Sequence, residues 1–149
     1  MRRSGCVGVI LLLGLGILPA KLSAQQPGGG SSGNRGAPTS GIHQNYPNPF
    51  NPDTRWTFVI GPEVITSGGA RVTVRILNVL QQLVAYPVAE GTGGSAPVLN
   101  NLVFTEPGEY TAYWDGRDRN NHQVASGLYY VQFIVNGRTI NVKKSLVGK

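Results

Sequence analysis

The stretch that most constrains the fold lies near the C-terminus. Residues 128–135, Leu-Tyr-Tyr-Val-Gln-Phe-Ile-Val, are apolar at nearly every position, so both faces of the segment need cover, as in a central strand of a sandwich. Asn136-Gly137 follow at once. Both central positions of a two-residue type I′ turn take positive φ, and this pair tolerates it best. Residues 138–147 then read as the partner strand, so the chain ends on a hairpin.

The rest of the pattern is also β. Residues 56–60 form the first strand candidate. In residues 71–77, Val72, Val74 and Ile76 alternate with Arg71, Thr73 and Arg75, the period of a half-buried strand. Residues 83–88 form a third, weakened by Pro87, which belongs at an edge or a strand end. A Gly-rich loop over residues 90–97 precedes a strand over residues 99–104. Pro107-Gly108 turn the chain into residues 109–114, where Tyr110, Ala112 and Trp114 share a face. Residues 78–82 fit a single turn with nothing to cap it. No 3.6-residue period outlasts one turn. Seven short strands separated by turn signals predict an all-β, immunoglobulin-like antiparallel sandwich of about seven strands. Tyr110, Trp114, Tyr129, Val131 and Phe133 alternate as a sandwich core requires, which accounts for them without a carbohydrate-binding strip; Trp56 and Tyr130 are left unassigned.

The first residues belong to a different kind of segment. Arg2 and Arg3 precede an apolar run over residues 7–18, and Leu22-Ser23-Ala24 stand before Gln25 like a signal peptidase site. The run is shorter than the roughly 20 apolar residues of a membrane span and contains Gly8, Gly14 and Gly16. The expectation is a signal peptide over 1–24, no stable membrane span after cleavage, a Gly/Ser-rich flexible linker over 25–41, and a sandwich domain over 42–149. Loss of Arg2, Arg3 and Lys21 lowers the net charge from +6 to +3. Lys143-Lys144 is then the only basic cluster, which argues against a nucleic-acid partner. Cys6, the single cysteine, leaves with the signal, so the mature chain forms no disulfide of its own and no thiolate metal site.

Two strings are more particular than generic sheet. One is Gln44-Asn45-Tyr46-Pro47-Asn48-Pro49-Phe50-Asn51-Pro52-Asp53-Thr54, an extended lead-in set by three prolines, with Asn48 and Asn51 able to cap turns. The other is Trp114-Asp115-Gly116-Arg117-Asp118 with Val124-Ala125-Ser126-Gly127-Leu128-Tyr129. Together they resemble the C-terminal sorting domains of type IX secretion cargo and the related immunoglobulin-like domain of the flagellar hook-capping protein. The resemblance covers residues 44–149. It implies an address: a domain carried through the periplasm, read by the outer-membrane translocon, and often removed once the cargo is attached at the surface. It places the recognised element in the terminal strand, with Lys143, Lys144, Leu146, Val147 and Lys149 as sorting residues. Lys144 stands where the family is usually apolar, Asn121 where it usually has Gly, and only the linker, in place of a large cargo, precedes the domain.

Chemistry-bearing residues are sparse. Asp115, Asp118 and Asn120 lack the spacing of a calcium loop and suit turns that bond backbone amides. His43 and His122 have no metal-ligand partners. Ser126 sits outside a nucleophile elbow, Glu106 and Glu109 show nothing that would separate their pKa values, and the Gly runs precede no helix that could cradle phosphate. The expectation is therefore an exported, non-catalytic module without cofactor. Its partners would be translocon or cell-surface components, and its location the outer surface or medium. The alternative is a stand-alone immunoglobulin-like structural or adhesion subunit that binds proteins through a sheet edge.

Overall fold

The computed structural model describes residues 39–91 and 95–148. The expected signal peptide, residues 25–38 of the expected linker, and Lys149 lie outside them. The strands in chain order are β1 (Gly41–Ile42), β2 (Thr54–Ile60), β3 (Ala70–Leu77), β4 (Leu83–Ala85), β5 (Val88–Glu90), β6 (Leu102–Phe104), β7 (Gly108–Trp114), β8 (Gly127–Val135) and β9 (Arg138–Val147). A 3₁₀ turn, Pro62–Val64, links β2 to β3. One sheet runs β1-β2-β7-β5; the other runs β4-β3-β8-β9, with β6 beside the start of β3. Every strand pairing is antiparallel. The fold is the expected all-β sandwich.

Alternation builds the core between the sheets. Trp56, Phe58 and Ile60 of β2 and Ala112 and Trp114 of β7 face Val72, Val74 and Ile76 of β3 and Val131, Phe133 and Val135 of β8, all buried. Phe58 joins the two layers: its ring lies 5.7 Å from Phe104, 5.7 Å from Tyr110 and 5.6 Å from Phe133. Full burial of such side chains contributes about 1.5–3 kcal/mol each. Trp56 is wholly inside, whereas Tyr130 points outward and is half-buried. Tyr129 donates its hydroxyl to the Ala125 carbonyl, four residues upstream, at 2.9 Å, the arrangement of a tyrosine corner. Asn136 and Gly137 have φ of 50° and 79°, as the type I′ reading requires.

Four of the nine strands are only two or three residues long, which is why alternation predicted fewer. Residues 83–88 are not one strand. At Tyr86-Pro87 the chain leaves β4 in one sheet and enters β5 in the other, and Pro87 marks the crossing. The strand expected over residues 99–104 begins only at Leu102; Leu99 is buried, but Asn101 has φ 56°, which no strand accommodates. Thr73, read as solvent-facing, is buried and accepts a hydrogen bond from the Asn101 N–H. The turn after β3 does have a cap: Asn78 Oδ1 accepts from the N–H groups of Leu80 and Gln82. The expected boundary before Ile42 falls inside β1. Ser40 is itself buried, accepting from the Gly61 N–H and donating to Glu63.

Candidate recognition site

The two strings that carry the family resemblance meet other parts of the fold, and the first of them meets the end of the chain. Residues 44–50 lie along the outer edge of β9. Gln44 Nε2 donates to the Lys144 carbonyl at 2.7 Å, Ser145 Oγ donates to Asn45 Oδ1 at 2.9 Å, and the Leu146 N–H donates to Asn48 Oδ1 at 2.9 Å. The Phe50 N–H donates to the Leu146 carbonyl at 3.0 Å, and the Gly148 N–H to the Phe50 carbonyl at 2.8 Å, so Phe50 and Val147 form a parallel bridge. Asn45 is buried, and its amide also donates to Pro47 O and Thr54 Oγ1. Behind this clasp the Phe50 ring packs 5.5 Å from Trp114. Asn48, expected to cap a turn, therefore caps the edge of β9.

The terminal residues divide between the two faces of β9. Lys143 pairs across from buried Val131 and so sits on the core-facing side at the sandwich seam, half-covered; Lys144 pairs across from Tyr130 and points to solvent. Leu146, opposite Leu128, is outward and exposed, whereas Val147 is buried in the core. Lys144 and Leu146 thus share one accessible surface, and Lys143 and Val147 do not belong to it. Lys149 lies outside the described residues.

The sheet edges are closed in part. Asn141 of β9 accepts from the Ile42 N–H and donates to the Ile42 carbonyl through its side-chain amide, capping β1 as a strand would. Residues 97–99 cap β5: the Ala89 N–H donates to Pro97 O and the Leu99 N–H to Pro87 O, both at 2.8 Å. The Arg119 N–H occupies the Val84 carbonyl on β4 at 3.0 Å. These covers remove part of the unpaired backbone to which an incoming strand would add.

Charge is segregated between the layers. The strands β3, β4, β6, β8 and β9 carry Arg71, Arg75, Arg138, Lys143 and Lys144 and no acidic residue. The ion pairs among the described residues lie elsewhere: Arg55 with Asp53 and Glu90 on the other sheet and its lead-in, and Arg117 with Asp115 and His122 with Asp118 in the loop that joins β7 to β8.

The Trp-Asp-Gly string forms a second ordered element. Trp114 Nε1 donates to the Arg117 carbonyl at 2.8 Å. Asp115 Oδ1 accepts from the Arg117 N–H, and Asp118 Oδ1 from the N–H groups of Asn120 and His122. The backbone bond from His122 above all, with that from Asn120, holds the Asp118 carboxyl below its ordinary pKa. These carboxylates serve the turn, as their spacing suggested. A shallow pocket of about 440 Å³ beside the loop is lined by Tyr86, Val98, Tyr113 and Arg117, among others. Ser126, His43 and His122 are exposed.

No family model, curated protein or solved structure matches the chain. Geometry and sequence pattern alone carry the functional reading.

Proposed function

We propose that the chain is an exported, non-catalytic β-sandwich module that acts as a secretion-sorting or cell-surface attachment domain of the type IX secretion kind. It passes through the periplasm to the outer surface or medium, and a translocon or surface component recognises its C-terminal end. The observation that supports this reading most is the clasp. The Asn-Tyr-Pro-Asn-Pro-Phe string, which carries part of the resemblance, and the terminal strand, where the resemblance puts the recognised element, bond to each other over residues 44–50 and 144–148. The clasp holds Lys144 and Leu146 outward on a fixed strand, where a partner could read them without unfolding the domain. The alternative of a structural subunit joined through a sheet edge has less support, because the edges of β1 and β5 and the end of β9 carry local covers.

The test is delivery of a fluorescent cargo placed behind residues 1–24 and ahead of residue 39, in a host that has the translocon. Deleting residues 145–149 would remove buried Ser145 and Val147 and unfold the domain. The informative variant is therefore Lys144→Ser with Leu146→Ser, both outward. Surface display that is lost while circular dichroism is unchanged is the expected result. Display that persists in this variant overturns tail-directed sorting and leaves the structural subunit as the better account.

A further inference from the structure

The outer face of the five-stranded sheet has an unusual composition. Ladder register arranges it in rows. Leu83, Leu77, Tyr130 and Lys144 lie side by side across four strands; Leu128 and Leu146 flank that row; Arg75, Gln132 and Val142 form the next. Val142 and Leu146 are 49% and 42% exposed, and Leu83, Leu128 and Tyr130 are half-buried. Arg71 and Arg75 are exposed on the same face as Lys144. An isolated domain would gain little by leaving aliphatic side chains among cations that have no ion-pair partner among the described residues.

We infer that this face is a docking surface for an acidic protein patch with an aliphatic centre. The charge argument is one of complementarity: cations on strands that carry no carboxylate steer and fix an anionic partner. Arg75 and Lys144 sit two strands apart, about 10 Å across the sheet, in adjacent rows of the ladder, so two separate carboxylates would meet them, one at the end of the aliphatic row and one beside it. A protein surface fits better than a lipid surface, because the face exposes Val and Leu and lacks the Trp or Phe that anchor a module in the headgroup layer. The inference does not depend on the sorting role.

The experiment is photo-cross-linking in the producing cells, with the full chain carrying benzoylphenylalanine at Val142 or, as control, at Thr57 on the outer face of the opposite sheet. The expected result has three parts. A protein adduct forms from position 142 and not from position 57. The cross-linked partner peptide, sequenced by mass spectrometry, carries Asp or Glu beside aliphatic residues. The adduct falls at least tenfold in Arg75→Glu with Lys144→Glu, at unchanged thermal stability, and returns when the partner's acids are changed to Lys. No adduct at 142, equal adducts from both faces, an adduct with lipid or with a second copy of the chain, or an adduct indifferent to charge reversal would each overturn the inference. Cargo display scored alongside the adduct in the strain whose docking face is otherwise unsubstituted separates the two readings. Intact display without the adduct overturns this inference alone, and an intact adduct without display overturns sorting alone.

Discussion

Ser145, buried on the last strand, donates its hydroxyl to Asn45 Oδ1 at 2.9 Å, a contact between residues 100 positions apart. Removing a buried hydrogen-bond partner costs about 1–3 kcal/mol. Ser145→Ala should lower the unfolding free energy by that amount, read as a lower urea midpoint at an unchanged slope of the transition. Asn45→Ala should cost at least as much, because its amide serves three further atoms, Pro47 O and Thr54 Oγ1 as acceptors and Gln44 Nε2 as donor. A double-mutant cycle between the two should return a coupling of about 0.5–3 kcal/mol. Strict additivity would mean that the clasp does not hold in solution.

Trp114 carries a different share of the fold. It is buried, lies 5.5 Å from the Phe50 ring, 6.4 Å from Trp56 and 5.8 Å from Tyr129, and bonds the Arg117 carbonyl through its indole. Trp114→Ala is expected to destabilise the domain by about 3–5 kcal/mol, read by thermal unfolding. An unchanged melting temperature would place the ring at the surface.

Gly116 shows where backbone geometry dictates the residue. Its φ is 73°, and a Cβ there would overlap the Pro52 carbonyl oxygen and meet Gln123 Nε2 at 2.7 Å. The left-handed backbone alone costs an ordinary residue about 1–2 kcal/mol, and the backbone contact adds to it. Gly116→Ala should therefore cost more than about 2 kcal/mol, whereas Gly137→Ala, at φ 79° with nothing among the described residues within 4 Å of the added Cβ, should cost only the conformational part. Equal losses in the two variants, measured by chemical denaturation, would count against close packing of the Trp-Asp-Gly loop on Pro52.

Acid should loosen the start of the domain. The Ser40 hydroxyl, then the Ser40 N–H, hold the Glu63 carboxyl below its ordinary pKa. A carboxyl depressed in the folded state contributes stability that is fully present above its unfolded value, about 4.3. That contribution is lost as pH falls through the lower folded value. Glu63 is exposed, so the contribution is small. Glu63→Gln should show a shallower loss of melting temperature between about pH 5 and about pH 3 than the parent chain. Parallel curves would remove Glu63 from the acid response.

Much of the sandwich was readable because five strands of seven or more residues repeat the two-residue period over a buried face. Val72, Val74 and Ile76, or Val131 and Phe133, announce their layer by spacing alone. The short strands did not, since three residues such as Val88–Glu90 offer one full period at most, and what places them is a partner elsewhere in the chain. The same limit applied to the site. That Lys143 and Lys144 face opposite ways follows from alternation and could have been drawn from the sequence. The seat of Asn45 and Asn48 on β9 could not, because a contact spanning about 100 residues leaves no local trace. The proline spacing around those asparagines marked the segment as special without saying what it touches.

The parallel bridge between Phe50 and Val147 also sets how the domain bears load. In a parallel pair, the start of one segment and the end of the other lie at opposite ends of the shared run. Tension applied between a polypeptide ahead of residue 39 and a grip on the tail therefore acts along the pair as shear. Once the two-residue strand β1 has given way, the bonds of the clasp resist together instead of opening one after another. A module dragged by its tail with a burden in front would hold where a zipper of the same bonds would peel.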